Sequence, residues 1–194
     1  MSKQTKKTTT IAMLTAIAAV LITLVHFPLF PTAAFLQYDP ADVAILIGAF
    51  AYGPVAGVII TVLASFIQAF LLGGDGVYGF LMHTIASGVL AVTAGIIYRK
   101  LHTRKGAAVA LTVGTLAMGF VMMGANHFIT PMFMGAPVAV VDAMLLPVIL
   151  PFNLLKAGIN SVITFAVYKT VSRHVIHGEG WHRKKDTTEV GSET

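Results

Sequence analysis

Of the 13 Lys and Arg residues in this 194-residue chain, Lys156 alone interrupts an apolar stretch of membrane-spanning character, PFNLLKAGINSVITFAVY at residues 151–168. A lysine within a bilayer costs roughly 2.5–3.5 kcal/mol on insertion scales, so it faces a protein interior or a ligand rather than lipid. Asn153, Lys156 and Asn160 lie at i, i+3 and i+7, a spacing that aligns them on one face of a helix. Such a stripe can bind a polar ligand. The competing role is structural: asparagines joining helices, and a lysine reaching out to the interface. Because Lys156 belongs to the stripe, ligand contact is the reading we take forward. Gln68, His83 and Asn126 are further polar residues in apolar surroundings. For Gln68 and His83 the expected role is an interhelical hydrogen bond.

Other chemistries are poorly supported. Ser87 within Ile85-Ala86-Ser87-Gly88, with His127 elsewhere, admits a serine-histidine intramembrane hydrolase. A helical serine more often bonds back to its own helix, and no G-x-S-x-G elbow is present. Cysteine is absent, which removes thiolate metal sites and cysteine nucleophiles. His174, His177 and His182 read as solvated tail residues rather than metal ligands. Without a G-x-x-x-x-G-K-[ST] run the chain carries no P-loop, so uphill work must be powered elsewhere. No catalytic residue, metal or cofactor is assigned.

The elements that position these residues are membrane helices. The chain is 56% hydrophobic and 11% charged with a mean hydropathy of +0.82, outside the range of soluble domains. Apolar runs occupy residues 11–30, 43–72, 77–98, 107–124 and 143–168. The second is too long for one straight span, since about 20 residues cross the hydrocarbon core, and Gly53-Pro54 breaks it. The expectation is an all-α integral membrane protein of six helices with a short second one, at about 42–52. That short helix must be tilted, buried in protein or continuous with a bend. Asn126 ends the fifth helix and His127 lies beyond it. The first run exceeds the apolar length of a cleavable signal peptide. The membrane domain is expected over 1–173, and 174–194 as a polar, disordered cytoplasmic tail.

Lys3, Lys6 and Lys7, the RKLHTRK loop at 99–105 and the basic tail place both termini in the cytoplasm under the positive-inside rule. These short basic flanks account for the net charge of +5 and argue against nucleic-acid binding. Asp39, Asp42, Asp75 and Asp142 then fall in external segments, and the polar residues gather in the outer half, which implies an outward-facing pocket. No carboxylate is expected at mid-membrane, which argues against a self-sufficient proton-coupled carrier. On the first helix Ala12 and Ala16 form an A-x-x-x-A pair that permits close helix approach. Taken alone, packing within the monomer is the simpler explanation.

Three segments carry a family resemblance: FLQYDPADVAILIGAFAYGPVAG at 35–57, ANHFITPMF at 125–133 and LPFNLLKAGINS at 150–161. Together they resemble the riboflavin-specific S components of energy-coupling factor (ECF) vitamin transporters, over residues 8–173. The resemblance implies a multi-pass subunit of a prokaryotic cell membrane, in contact with lipid. It captures riboflavin as cargo from outside and hands it over through a transmembrane T component powered by two cytoplasmic ATPase subunits. It maps ligand contacts to Asn126, Asn153 and Lys156, makes the external loop with Tyr38 a lid over the pocket, so that Tyr38 and Leu36 are two further expected ligand contacts, and assigns Ala12 and Ala16 to the T component. Phe35, Phe128 and Phe152 are candidates to cover the flavin ring. Asp39, Asp42 and Asp142 are unranked candidates to pair with Lys156. His83 and His127 are not carried over. Alternatives are an S component for another vitamin or for flavin mononucleotide, with Lys156 serving a phosphate, and the carrier or hydrolase above.

Overall fold

The computed structural model describes residues 2–72 and 75–171. The expected tail, with its histidines, lies outside them. Helix α1 spans Lys3–Leu24, α2 Ala41–Tyr52, α3 Pro54–Phe66, α4 Gly76–Lys100, α5 Arg104–Met134, α6 Val138–Met144 and α7 Leu150–Val171. A π-helical turn, Ile67–Leu71, extends α3, and a second, Leu145–Ile149, joins α6 to α7. Among the described residues five stretches are long and apolar enough to cross a membrane, and α2 is the short sixth helix.

The helix bounds differ from expectation where local chemistry decides. Helix α1 starts within the basic segment, because Ser2 Oγ caps it by accepting from the Thr5 amide at 3.1 Å. It stops at Leu24, before His26-Phe27-Pro28. The chain then crosses the bundle in a loop pinned by a two-residue antiparallel hairpin with Phe27 opposite Tyr38. Helix α5 does not end at Asn126. It continues through His127 and Pro131 to a left-handed Gly135 cap (φ 61°), because Asn126 satisfies its amide inside the helix, donating to the Met122 carbonyl at 2.7 Å. Before α7 lies Pro147, whose missing amide suits the wider turn there.

Helix α2 resolves its length problem by burial. Every residue from Ala41 to Ala49 is buried, and the helix packs against α1, α3, α4 and α7. The bend into α3 uses Gly53 at φ +89°, a conformation that L side chains rarely adopt. Helix α3 then folds back closely: a Cβ at Gly57 would lie 2.8 Å from Ala49 and 3.1 Å from Ala91. Ala91 and Ala94 continue this small-residue seam in the core, as expected where membrane helices gain most from close backbone approach.

Candidate functional site

A cavity of about 320 Å³ opens at the end of the bundle formed by the α1–α2 loop, the α3–α4 connection, α5 and the start of α7. Its size falls within the range of small-molecule sites. Asn126, Asn153, Lys156 and Leu36 all line it, with Phe35 and Phe152 among the apolar wall residues. Four of the five expected ligand residues therefore share one cavity.

Lys156 is 5% exposed, and Asp39 is its partner: the ammonium donates to Asp39 Oδ2 at 2.6 Å. Asp39 is held in turn, its Oδ1 accepting from the Ala41 amide at 3.1 Å and its carbonyl from Asn160 Nδ2 at 3.0 Å. Burial alone would raise the Asp39 carboxyl, but the Lys156 charge and hydrogen bond, with the Ala41 amide, hold it below its ordinary value. Asn160 Nδ2 also donates to Asp42 Oδ2 at 2.9 Å, and Ser87 Oγ donates to Asp42 Oδ1. The network thus ties the α1–α2 loop, α2, α4 and α7 together, and it satisfies polar groups that would otherwise be costly to bury.

This geometry corrects several expectations. Asp39, in the α1–α2 loop, and Asp42, in the first turn of α2, are buried, at 2% and 0% exposure, so neither is a solvent-exposed acid. Of the three candidates, Asp142 pairs instead with His127 Nδ1. The Asn153-Lys156-Asn160 stripe divides: the first two line the cavity, whereas Asn160 sits behind it as the clamp on Asp39 and Asp42. Tyr38 is not among the lining residues. It is buried, and its hydroxyl donates to Asn160 Oδ1 at 2.9 Å. Burial, then the Asp39 and Asp42 charges, raise its pKa, so it stays a neutral donor. Phe128 is 71% exposed and takes no part in the cavity wall, since continuation of α5 turns it outward.

His83 makes an interhelical hydrogen bond, its Nδ1 lying 2.7 Å from Ser65 Oγ, and it also lines the cavity. Gln68 does not find such a partner. It lines the cavity from the π-helical turn after α3, and its buried Oε1 has no hydrogen-bond partner among the described residues. The sequence left Asp39 unranked among three candidate partners of Lys156 and gave Gln68 only an interhelical role. Polarity flagged both, but only the fold shows which polar neighbours reach them. The hydrolase arrangement is not formed: Ser87 is fully buried, does not line the cavity and donates to Asp42, whereas His127 pairs with Asp142. Ala12 and Ala16 are exposed on α1, while Leu14, Thr15 and Ala18 of that helix face the core. Packing within the monomer is therefore not their role.

An apolar six-helix bundle that encloses a cavity with a few fixed polar anchors is a membrane-embedded binding protein for a small solute. The chain belongs to the family of ECF transporter substrate-specific components, whose family model matches residues 6–168. It is thus a multi-pass transport subunit of the cell membrane, not an enzyme. It is 29% identical to the riboflavin transporter RibU of Staphylococcus aureus strain TCH60, over 88% of this chain and 92% of that protein. It is 31% identical to the riboflavin transporter FmnP of Bacillus subtilis strain 168, over 84% of this chain and 90% of that protein. A solved S component of a bacterial ECF transporter superposes with a TM-score of 0.77 at 29% identity, covering 89% of this chain and 99% of that one.

Proposed function

We propose that this chain captures riboflavin from outside the cell and delivers it through a T component driven by two ATPase subunits, with both of its own termini in the cytoplasm. The observation that carries the reading is the set of polar valences left open in the cavity. Asn153 Nδ2 donates to the Ile149 carbonyl at 2.8 Å, and no donor among the described residues reaches its oxygen. Asn126 uses one N–H on Met122 and its oxygen on Thr130, leaving one N–H. Lys156 spends one N–H on Asp39, leaving two. Donors and an acceptor side by side match the carbonyl–imide–carbonyl edge of an isoalloxazine, while Leu36, Phe35 and Phe152 offer apolar cover for its faces.

Leu36, Asn126, Asn153 and Lys156 are the ligand contacts in this reading, and Ala12 and Ala16 are the contacts to the T component. Tyr38 supports the site through Asn160 rather than touching the vitamin. Detergent-purified protein should quench riboflavin fluorescence at nanomolar to micromolar concentration. Absence of binding by any flavin would end the proposal. A proton-coupled carrier of the same fold would take up riboflavin in cells that lack the ATPase subunits, and uptake there should be lost.

A further inference from the structure

The polar network behind the cavity is not balanced in charge. Among the described residues it holds two buried carboxylates, Asp39 and Asp42, and one buried ammonium, Lys156. Lys156 is paired with Asp39 at 2.6 Å. Asp42 accepts from neutral donors, Asn160 Nδ2 at 2.9 Å and Ser87 Oγ, and its place in the first turn of α2 adds only the partial charge of a helix N-terminus. One negative charge therefore has no fixed cation to cancel it, which is costly away from water. The group in reach that can supply the missing charge is His83 of α4. Its Nδ1 lies 2.7 Å from Ser65 Oγ of α3, and its Nε2 lies 3.4 Å from Ser87 Oγ and 3.9 Å from Asp39 Oδ1. Each ring nitrogen thus faces a hydroxyl, which accepts from an N–H as well as it donates to a bare nitrogen, so the ring takes either protonation state without losing a partner. His83 also lines the cavity, so a proton reaches it from the open site and is covered once a ligand enters. The other titratable side chains of the wall are His26 after α1, Asp75 before α4 and Tyr78 within it, and α5 contributes none.

We propose that the cavity takes up a proton together with its ligand and that His83 is the site that holds it. A flat neutral ligand laid over the network displaces the solvent that screens the uncancelled charge, so occupancy favours the imidazolium. By linkage the proton then strengthens ligand binding: the gain is present at the acid end of the imidazole range and is lost as pH rises through it. The inference rests on the flavin reading above. It concerns how tightly the cargo is held and leaves the ATPase-driven step unchanged.

The test is a riboflavin titration of the purified chain from about pH 8 to about pH 6, across the range in which an imidazole titrates and the flavin imide keeps its proton. Calorimetry in buffers of different ionisation enthalpy counts the protons taken up. The expected result is a fractional uptake approaching one proton per riboflavin, with affinity about three- to tenfold tighter at the acid end. His83→Gln should flatten the profile. Asp42→Asn, which removes the uncancelled charge and keeps the imidazole, should flatten it as well, whereas His26→Gln should leave the slope intact. A wild-type proton count of zero, a slope that survives His83→Gln or Asp42→Asn, or one that disappears with His26→Gln would overturn the inference. If His83→Gln and Asp42→Asn do not fold, the wild-type count and His26→Gln decide. Failure to bind riboflavin at any pH would instead remove the flavin reading itself, and the inference with it.

Discussion

The two ends of the bundle are built on different principles. At the cavity end the backbone is irregular: π-helical turns at Ile67–Leu71 and Leu145–Ile149, a proline within α5, and a long loop between α1 and α2. Side chains there are joined by hydrogen bonds and an ion pair. At the end that carries the N-terminus, the helices are joined by short turns, at Gly53 and at residues 101–103, and are packed by aromatic rings. Phe50 stacks on Tyr98 with ring centroids 4.1 Å apart, and Tyr168 meets both edge-on at 5.8 and 5.9 Å. The contrast follows from the solvent. Irregular backbone at membrane depth survives only where protein or a cavity covers it, and both π-helical turns lie at the cavity end. The opposite end can remain a rigid packed base with an exposed alanine pair on α1.

If the base is a docking surface and the cavity end a capture site, the two should be separable by mutation. The largest expected effect is on transport: replacing Ala12 and Ala16 by leucine should reduce cellular uptake to background while riboflavin titration of the purified variant remains native. Weakened binding together with intact uptake would reverse the assignment of the two ends. Next comes the ion pair. Lys156→Met strands the Asp39 carboxylate and should cost about 3–5 kcal/mol of stability, read as a lower midpoint in thermal unfolding. Adding Asp39→Asn should recover much of that loss without restoring ligand affinity. A double variant no more stable than the single one would mean that the pair is not the main interaction of Asp39.

The sequence carried the helix count, the break at Gly53-Pro54 and a set of polar residues, Asn126, Asn153 and Lys156, that line one cavity, because each rests on a strong local signal: apolar run length, proline's missing amide, a lone lysine between amides. It carried less about which side chains face the cavity. Helical spacing put Asn160 on one stripe with Lys156, but α2 packs against that part of α7 and brings Asp39 and Asp42 to it, a contact more than a hundred residues apart in the chain. Position at an apolar run's edge put Asp39 and Asp42 in external segments and left them unranked as partners of Lys156. Only the fold reveals that α2 is sunk among four helices, taking Asp42 with it. Phe128 failed for a related reason, since ending α5 early left its direction undetermined, and the helix as formed turns it away from the cavity.

Within the capture end, the two walls should also differ. Asn153→Ala removes an open acceptor beside the ligand while sacrificing only a bond to its own helix. Riboflavin affinity should fall about 5- to 100-fold, the range expected for an unpaired ligand donor, with little change in unfolding of the ligand-free protein. An unaltered affinity would place the flavin's polar edge away from α7.

Gln68, on the facing wall, predicts the smallest effect and the most diagnostic sign. Its amide oxygen is buried without a donor, so in the ligand-free protein it is a cost rather than a contribution, and Gln68→Leu should leave stability unchanged or raise it by up to about 1 kcal/mol. In the complex the same substitution removes an acceptor from the ligand's hydroxyl-bearing chain. The rise in unfolding temperature that riboflavin produces should therefore shrink, and affinity should drop about threefold to tenfold, the equivalent of one neutral hydrogen bond. A residue that merely packs would move both measurements down together. A residue that awaits the ligand moves them in opposite directions, and an equal loss in the free and bound protein would show that Gln68 belongs to the frame rather than to the site.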